Sequence, residues 1–405
     1  MTDLTATSTL LILNCGSSTL RLALYATDAQ STAPQNVILR AKVERIGMRG
    51  TQMLVSDATG QIDQRQIHAQ SFADIIEQVL NWLAAQPVFA NIQAVGHRIV
   101  HGMAHSRAQW ITPALLADLQ RHVLVDPQHL PQTLALINAI QKRHPHLPQV
   151  ACFDTAFHAQ MPTVAKLLPI PRRYFEQGVQ RYGFHGLSYE FLLSELLRLG
   201  DPAAQKGRVI LAHLGNGASM AAVRDGKGID TSMSFTPASG LMMSTRAGDL
   251  DPGIIAYLSR SEQMSVDQYD KMVHNQSGLL GISATSADIR DLLAIESTDQ
   301  RAAQAIALFC YQAKKCIGAF AAALGGLDTL VFAGGIGENA PLIRERICEG
   351  LNFLGIEMHQ QNNADNAPLI STDNSRVSVR VIATDEAAMM AHHVGQVFML
   401  HGRDS

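Results

Sequence analysis

The chain has 405 residues, 47% hydrophobic and 17% charged, and its 32 Lys and Arg against 35 Asp and Glu leave a net charge of −3. Such a length holds about two domains of ~150–200 residues with a sizeable core, and the composition excludes a disordered chain. Without a basic excess there is nothing to neutralise a nucleic-acid backbone, so no nucleic-acid partner is expected, whereas a small anionic ligand needs only local charge.

The opening MTDLTATSTLLILN lacks the basic region and cleavage site of a secretory signal. Apolar runs at 10–13, 20–25 and 37–43 read as three strands, the first two joined by a tight loop, NCGSST at 14–19. Helical patterns follow at 72–85 and 113–123, the latter with Thr112 as N-cap and Pro113 in the first helical position. The Pro-rich stretch RHPHLPQ before the apolar run 150–153 marks a domain boundary near residue 150. The polar stretch 201–208 reads as a loop. The opening then recurs about 200 residues on: a run at 209–212, the glycine loop HLGNGAS at 213–219, a run at 220–223, an Asp225-Gly226 hairpin turn and a third strand at 229–232. We read this as a diverged duplication, whose two halves leave a cleft suited to a small ligand. A third glycine loop, GGIGENA at 334–340, leads into a helix-like segment at 341–350. The longest apolar run, 316–327, is too short to cross a bilayer, so no membrane partner is expected. The five cysteines are scattered with no C-x-x-C pair, which points to a reducing, cytoplasmic setting.

Glycine lets backbone N–H groups approach a phosphate without a Cβ in the way. One such loop is as well read as a tight turn; three, each after an apolar strand, favour a polyphosphate ligand. Neither G-x-x-x-x-G-K-[ST] nor an opening G-x-G-x-x-G occurs, which excludes a P-loop enzyme and disfavours a dinucleotide domain. Arg98, Asp154, His185 and Arg246 sit in glycine-rich or aromatic settings. Any one of them serves equally as a structural ion pair. Together, two arginines, a histidine and carboxylates are what phosphoryl transfer needs. His97, His101 and His105 are spaced by four, but the surrounding glycines and the Ile99-Val100 pair argue for strand and loop, not a zinc-binding helix face.

Seven blocks in order, GHRIVHG, FDTAFH, RYGFHG, HLGNGAS, DTSMSFTP, TRAGDLDPG and GIGEN, resemble the acetokinase family over nearly the whole chain. The resemblance implies an α/β protein with the duplicated ribonuclease-H-like fold of actin-like ATPases. It implies an acyl-substrate domain, 1–150 with a C-terminal helix 387–405, and a nucleotide-binding domain, 151–386, about a central cleft. The implied reaction is reversible phosphorylation of acetate by ATP to acetyl phosphate and ADP, with Mg²⁺ or Mn²⁺, in a homodimer. On the matching positions, Asp154, His185 and Arg246 would be catalytic. Arg98, Val100, His129, Phe184 and Pro237 would hold the acyl substrate. Arg21, the segment His213, Leu214, Gly215, Asn216 and Gly217, the segment Asp288, Ile289 and Arg290, and the segment Gly335, Ile336, Gly337, Glu338 and Asn339 would hold nucleotide. Asn14 and Glu386 would hold metal.

The chain departs from the family pattern in three segments. Thr19 and Arg21 stand where Ser and Lys are usual, and Arg keeps the charge with a different fork. Asp385-Glu386-Ala387 replaces Asn-Glu-Glu, so that Asp385 adds a charge near the implied metal. Gln128 and Leu130 flank His129 where Leu and Asn are usual. One methylene is worth only ~1–3 kcal/mol in a pocket, so acetate, propionate and butyrate kinases of one family all remain open, as does a non-catalytic nucleotide-binding module of the same fold. A small acid with a pKa of roughly 4–5 is already ionised at neutral pH. It needs no general base, so Asp154 is expected to position substrate or metal.

Overall fold

The structure is a computed structural model that describes residues 8–401, apart from 17–18, 29–30, 47–49 and 58. The first apolar run becomes Thr9–Cys15 (β1), buried except at Asn14. It pairs antiparallel with Thr19–Asp28 (β2), and β2 pairs antiparallel with Ser31–Glu44 (β3). Gln52–Asp57 (β4) and Ile62–Gln66 (β5) extend this edge. On the other side of β1 lies Ile92–Ile99 (β6), parallel to it. The short Gln109–Trp110 (β7) and Gln149–Phe153 (β8) complete an eight-stranded sheet, β5-β4-β3-β2-β1-β6-β8-β7, with β8 parallel to β6. The second sheet comprises Arg208–Leu214 (β9), Ala218–Arg224 (β10), Lys227–Thr231 (β11), Thr329–Ala333 (β12) and Ser378–Val381 (β13), in the order β11-β10-β9-β12-β13. Here β9, β10 and β11 run antiparallel, while β12 and β13 run parallel to β9. The stretch β3-β2-β1-β6-β8 has the same order and senses. The duplication is thus one of topology, the ribonuclease-H-like arrangement of actin-like ATPases.

The chain divides into two compact units, unit 1 up to Ala156 and again from Asp385, and unit 2 from Phe157 to Thr384. The boundary expected at residue 150 falls inside β8, which is hydrogen-bonded to β6 and β7, so unit 1 keeps that strand. Residues 402–405 of the expected C-terminal helix lie outside the described residues; the helix itself is Glu386–His401.

In unit 1 the helix Phe72–Ala84 starts at a capping box, with Ser71 accepting from the N–H of Asp74 and the Asp74 side chain returning to the backbone of Ser71. It buries Ile75, Ile76, Val79, Leu80 and Leu83 against Leu11, Leu13, Leu22 and Val43 of the sheet. The C-terminal helix approaches closely because β6 carries Gly96: a Cβ there would stand 2.7 Å from Val394 Cγ2 and 2.9 Å from Ile12 Cδ1. In unit 2, Tyr189, Leu192 and Leu196 of helix Gly186–Arg198 pack on Val209, Leu211, Ala221 and Val331. Among the described residues no helix is long and apolar enough to cross a membrane.

Three stretches differ from the sequence reading. The polar segment 201–208 is not a loop. It holds the short helix Ala203–Lys206, and its Asp201 is a buried acceptor for Arg380 Nε at 2.8 Å. β4 has an apolar stretch of only three residues, Met53 to Val55, too short to read as a strand, and β5 is polar and wholly exposed. GGIGENA is no loop either: Gly334–Asn339 is a helix, followed by Pro341–Cys348. Gly334 has φ +75°, and a Cβ there would meet the carbonyl oxygen of Leu214 at 2.7 Å, so the turn lies directly against the end of β9.

Two buried histidines give the fold an acid sensitivity. His97 Nε2–H donates to Gln149 Oε1 at 2.7 Å in unit 1, and His158 Nε2–H donates to the carbonyl of Phe184 at 3.0 Å in unit 2. Burial pulls each down from 6.5 to about 4. The unfolded chain then binds more protons between those values, so stability falls as pH drops through this window. We expect a loss of about 2 kcal/mol per histidine at about pH 5 relative to neutral pH. Urea unfolding at the two pH values measures it, and an unchanged midpoint would contradict it.

Candidate active site

Asn14, Arg98 and Asp154 stand at the carboxyl ends of β1, β6 and β8, three adjacent parallel strands of unit 1, where open α/β sheets bind ligands. Arg98 Nε and Nη2 both donate to Asp154 Oδ2, at 3.0 and 2.5 Å, and Nη1 donates to Asn14 Oδ1 at 3.2 Å. Glu386, the first residue of the C-terminal helix, accepts from Asn14 Nδ2 at 3.3 Å and lies 3.9 Å from Arg98 Nη1. Burial works against the Arg98 charge, but Asp154 and Glu386 outweigh it and hold the guanidinium protonated. Burial pushes the Asp154 carboxyl up, Arg98 draws it back and Glu386 adds to the rise.

Asp154 is fully buried, and its Oδ1 accepts no hydrogen bond. With Asn14 and Glu386 beside it, this makes a hard-oxygen set that fits Mg²⁺, which takes one or two carboxylates and completes its shell from phosphate and water. Among the described residues no three His, Cys, Asp or Glu side chains form a metal cage on their own. The spaced histidines do not converge: His97 is bound to Gln149, while His105 lies 2.9 Å from Asp118.

Asp385 does not add free charge at this place. Its Oδ2 pairs with Arg40 at 2.6 Å, and its Oδ1 accepts from Tyr25 OH at 3.3 Å and from the N–H of Ala388 at 2.9 Å. It anchors the start of the helix that carries Glu386. Arg21 is exposed on β2 directly across from Asn14, so the two side chains share a sheet face. Ser17 and Ser18 of the first glycine loop lie outside the described residues; Gly16 N–H donates to the carbonyl of Thr19 at 2.8 Å. Val100 is buried just past β6, and His129 precedes the helix Leu130–Arg143.

Unit 2 brings a second set together. His213 and Leu214 end β9, and the turn 215–217 is closed by Gly215 N–H on the carbonyl of Gly217 at 2.9 Å. A Cβ on Gly217 would stand 3.2 Å from His185 Nε2 and 3.8 Å from Arg246 Nη1, so both side chains flank this turn. Gly335 N lies 3.6 Å from the Cβ position of Gly215, which puts the first turn of the helix Gly334–Asn339 beside it. His185 has φ 58°, a strained setting for a non-glycine residue. Its Nδ1 lies 2.8 Å from Ser219 Oγ, which also bonds Tyr189 OH, and its ring stacks on His213 at 4.3 Å. His213 Nδ1 lies 2.9 Å from Ser188 Oγ. Arg246 Nη1 donates to the carbonyl of Pro237 at 3.0 Å, and Phe184 is buried.

Other expected nucleotide residues are bonded within unit 2. Glu338 Oε1 accepts from the N–H groups of Gly334 and Thr384 at 2.8 and 3.1 Å, and Asn339 Nδ2 donates to the carbonyl of Gly335. Asp288 caps the helix Ile289–Ile295 and pairs with exposed Arg290 at 2.5 Å, while Ile289 is buried; no hydrogen bond ties this segment to either turn among the described residues. Sequence reasoning missed Ser219, Tyr189, Ser188, Arg40 and Asp126, the last accepting from His129 Nδ1–H at 2.8 Å. The i, i+3 spacing of Asp126 and His129 was the one usable signal.

Glycine turns at the carboxyl edge of a sheet, with a histidine and an arginine leaning over one of them, are equipment for handling phosphoryl groups, and on this fold they define a phosphotransferase. The family is equally plain: the acetokinase family model matches residues 9–392, and the chain belongs to that family. It is 43% identical over 389 residues to an acetate kinase of Rhodopseudomonas palustris, covering 95% of this chain and 97% of the relative. It is 37% identical to a propionate kinase of Escherichia fergusonii, covering 96% of each. Among solved structures, acetate kinase from Porphyromonas gingivalis matches with a TM-score of 0.86 at 35% identity, over 96% of this chain and all of that one. A propionate kinase from Francisella tularensis matches at 0.88 and 35%, over 95% and 98%.

Proposed function

We propose that this kinase phosphorylates acetate with ATP, reversibly, giving acetyl phosphate and ADP by in-line transfer to the carboxylate. The observation that carries the reading is the Arg98–Asp154–Asn14–Glu386 cluster, a cation presented among oxygen donors at the carboxyl edge of unit 1. Arg98 would direct the acetate carboxylate, which arrives ionised, so no residue has to remove a proton. Val100, Phe184 and Pro237 would cover the methyl group. In unit 2, His185 and Arg246 would bond the equatorial oxygens of the γ-phosphoryl group as it moves, with Ser219 holding the His185 ring from behind. The segment 213–217 and the helical segment 335–339, with 288–290 and Arg21, would hold the nucleotide. Asn14, Glu386 and Asp154 would hold Mg²⁺, which would supply neutralising charge for the phosphates.

The proposal includes a homodimer, which rests on the resemblance. It also includes a cytoplasmic setting, which the five free cysteines support. The propionate kinases at similar likeness make propionate the second reading. Trapping acyl phosphate with hydroxylamine decides. With ATP and Mg²⁺ the strongest signal is expected on acetate. A dominant signal on propionate or butyrate would move the substrate, and none on any acid would overturn the proposal.

A further inference from the structure

We propose that Asp126 is a positioning residue for the acyl-acceptor site, committing Nδ1–H of His129 so that Nε2 is the atom His129 offers to the substrate. The inference rests on the function proposed above and concerns a residue to which neither the sequence motifs nor that mechanism gives a role.

His129 occupies the N-cap position of the helix Leu130–Arg143, yet its side chain makes no capping bond. The ring turns back instead to Asp126 Oδ1, 2.8 Å from Nδ1. A carboxylate only accepts, so the proton sits on Nδ1. The Asp126 side chain is 3% exposed and the His129 side chain 12%, so water competes little for the bond. Asp126 Oδ2 is buried and accepts no hydrogen bond at all. An aspartate that keeps one oxygen unpaired in the interior is costly to the fold and calls for a reason. Capping does not supply one, because Asp126 uses its backbone carbonyl, not its side chain, to receive the N–H of Leu130 at 3.2 Å.

The charge of the pair reaches the cluster at the sheet edge. Asp126 is among the groups that keep Arg98 protonated, and His129 is among those that offset the upward push on Asp154. With Nδ1–H committed, a neutral ring presents Nε2 as an acceptor, and a protonated ring presents Nε2–H as a donor. The partner this suits is a carboxylate or acyl-phosphate oxygen, the one chemistry that the acceptor site must hold in both directions of the reaction. Without Asp126 the ring is free to rotate and to carry its proton on either nitrogen, so binding of the acid suffers while nucleotide binding in unit 2 does not.

The test compares Asp126→Ala, Asp126→Asn, His129→Gln and the double variant Asp126→Ala/His129→Gln in the full chain, with acetate and MgATP varied in turn. Asp126→Ala is expected to raise KM for acetate by about 10- to 100-fold, the usual effect of losing a carboxylate that orients a working histidine, with KM for ATP unchanged. Asp126→Asn keeps an oxygen that accepts from Nδ1–H and should recover part of the loss. The double variant should be no worse than the worse single one. NMR of ¹⁵N-histidine-labelled protein, with the His129 signal assigned by its disappearance in His129→Gln, should show the proton on Nδ1 in the wild type and not in Asp126→Ala. A wild-type KM for acetate in Asp126→Ala, additive losses in the double variant, or a wild-type ring protonated only on Nε2 would each overturn the proposal. The isosteric Asp126→Asn and the NMR readout keep the test decisive if Asp126→Ala folds poorly. If the wild type makes no acyl phosphate, the functional reading fails, and the NMR measurement still reports on the pair.

Discussion

Arg246→Ala is expected to lower kcat by about 10³-fold or more while KM for acetate moves by no more than a few-fold. Arg246 lies with His185 over Gly217, in the turn that would receive the phosphates, and its Nη1 is held at 3.0 Å from the carbonyl of Pro237. On the proposed function that anchor would fix the guanidinium where charge builds on the moving phosphoryl group, and donors fixed in advance count most in the transition state. A thousandfold loss corresponds to about 4 kcal/mol of transition-state stabilisation. Arg246→Lys keeps the charge and loses the planar fork, so it should fall between wild type and alanine. Steady-state kinetics in both substrates separates the cases. A rise in KM for acetate with kcat intact would show that Arg246 only binds the acid.

The cluster on unit 1 was legible because its members end apolar runs. Asn14, Arg98 and Asp154 each close a strand, and β1, β6 and β8 are parallel neighbours, so residues far apart in sequence arrive at one sheet edge. The topology was legible for the same reason, since the strand–glycine turn–strand opening recurs in β1–β2 and β9–β10. What the sequence hid was set by tertiary placement. Nothing local marks Ser219 as the partner of His185, because a hydroxyl carries no periodicity and the bond spans 34 residues. GGIGEN reads as a loop on glycine's poor helix propensity. It is helical because the Glu338 carboxylate receives the N–H of Gly334 and because Arg344, buried in full, donates to the carbonyls of Gly337 and Glu338. Asp385 reads as extra charge by the metal, whereas Arg40, from a strand two positions away in the sheet, neutralises it.

Arg98→Ala is expected to damage both folding and catalysis, and pH separates the two effects. The side chain is 16% exposed and holds Asp154, which is not exposed at all, with Glu386 3.9 Å away. Removing it strands a buried carboxylate, a loss of about 3–5 kcal/mol in unfolding free energy. Burial already pushes Asp154 upward. Without the arginine that push loses its main opposition, so the folded state binds a proton that the unfolded chain releases, and the variant loses stability as pH rises above the ordinary carboxylate range. The stability gap to wild type should therefore narrow toward acid, even though both proteins weaken there through His97 and His158. Unfolding curves for the two proteins across the pH range measure the gap, and a gap independent of pH would show that Asp154 is neutral in both. Catalysis should follow a different rule. The loss of a fork that directs the acid is worth about 2–5 kcal/mol, roughly 30- to 5,000-fold in kcat/KM for acetate. Arg98→Lys returns a positive charge to Asp154 and should recover most of the stability, but a single ammonium cannot supply the Nε and Nη donors together, so kcat/KM should stay low. Recovery of both by lysine would mean that Arg98 serves only as a counter-ion and that the acid is directed by another group.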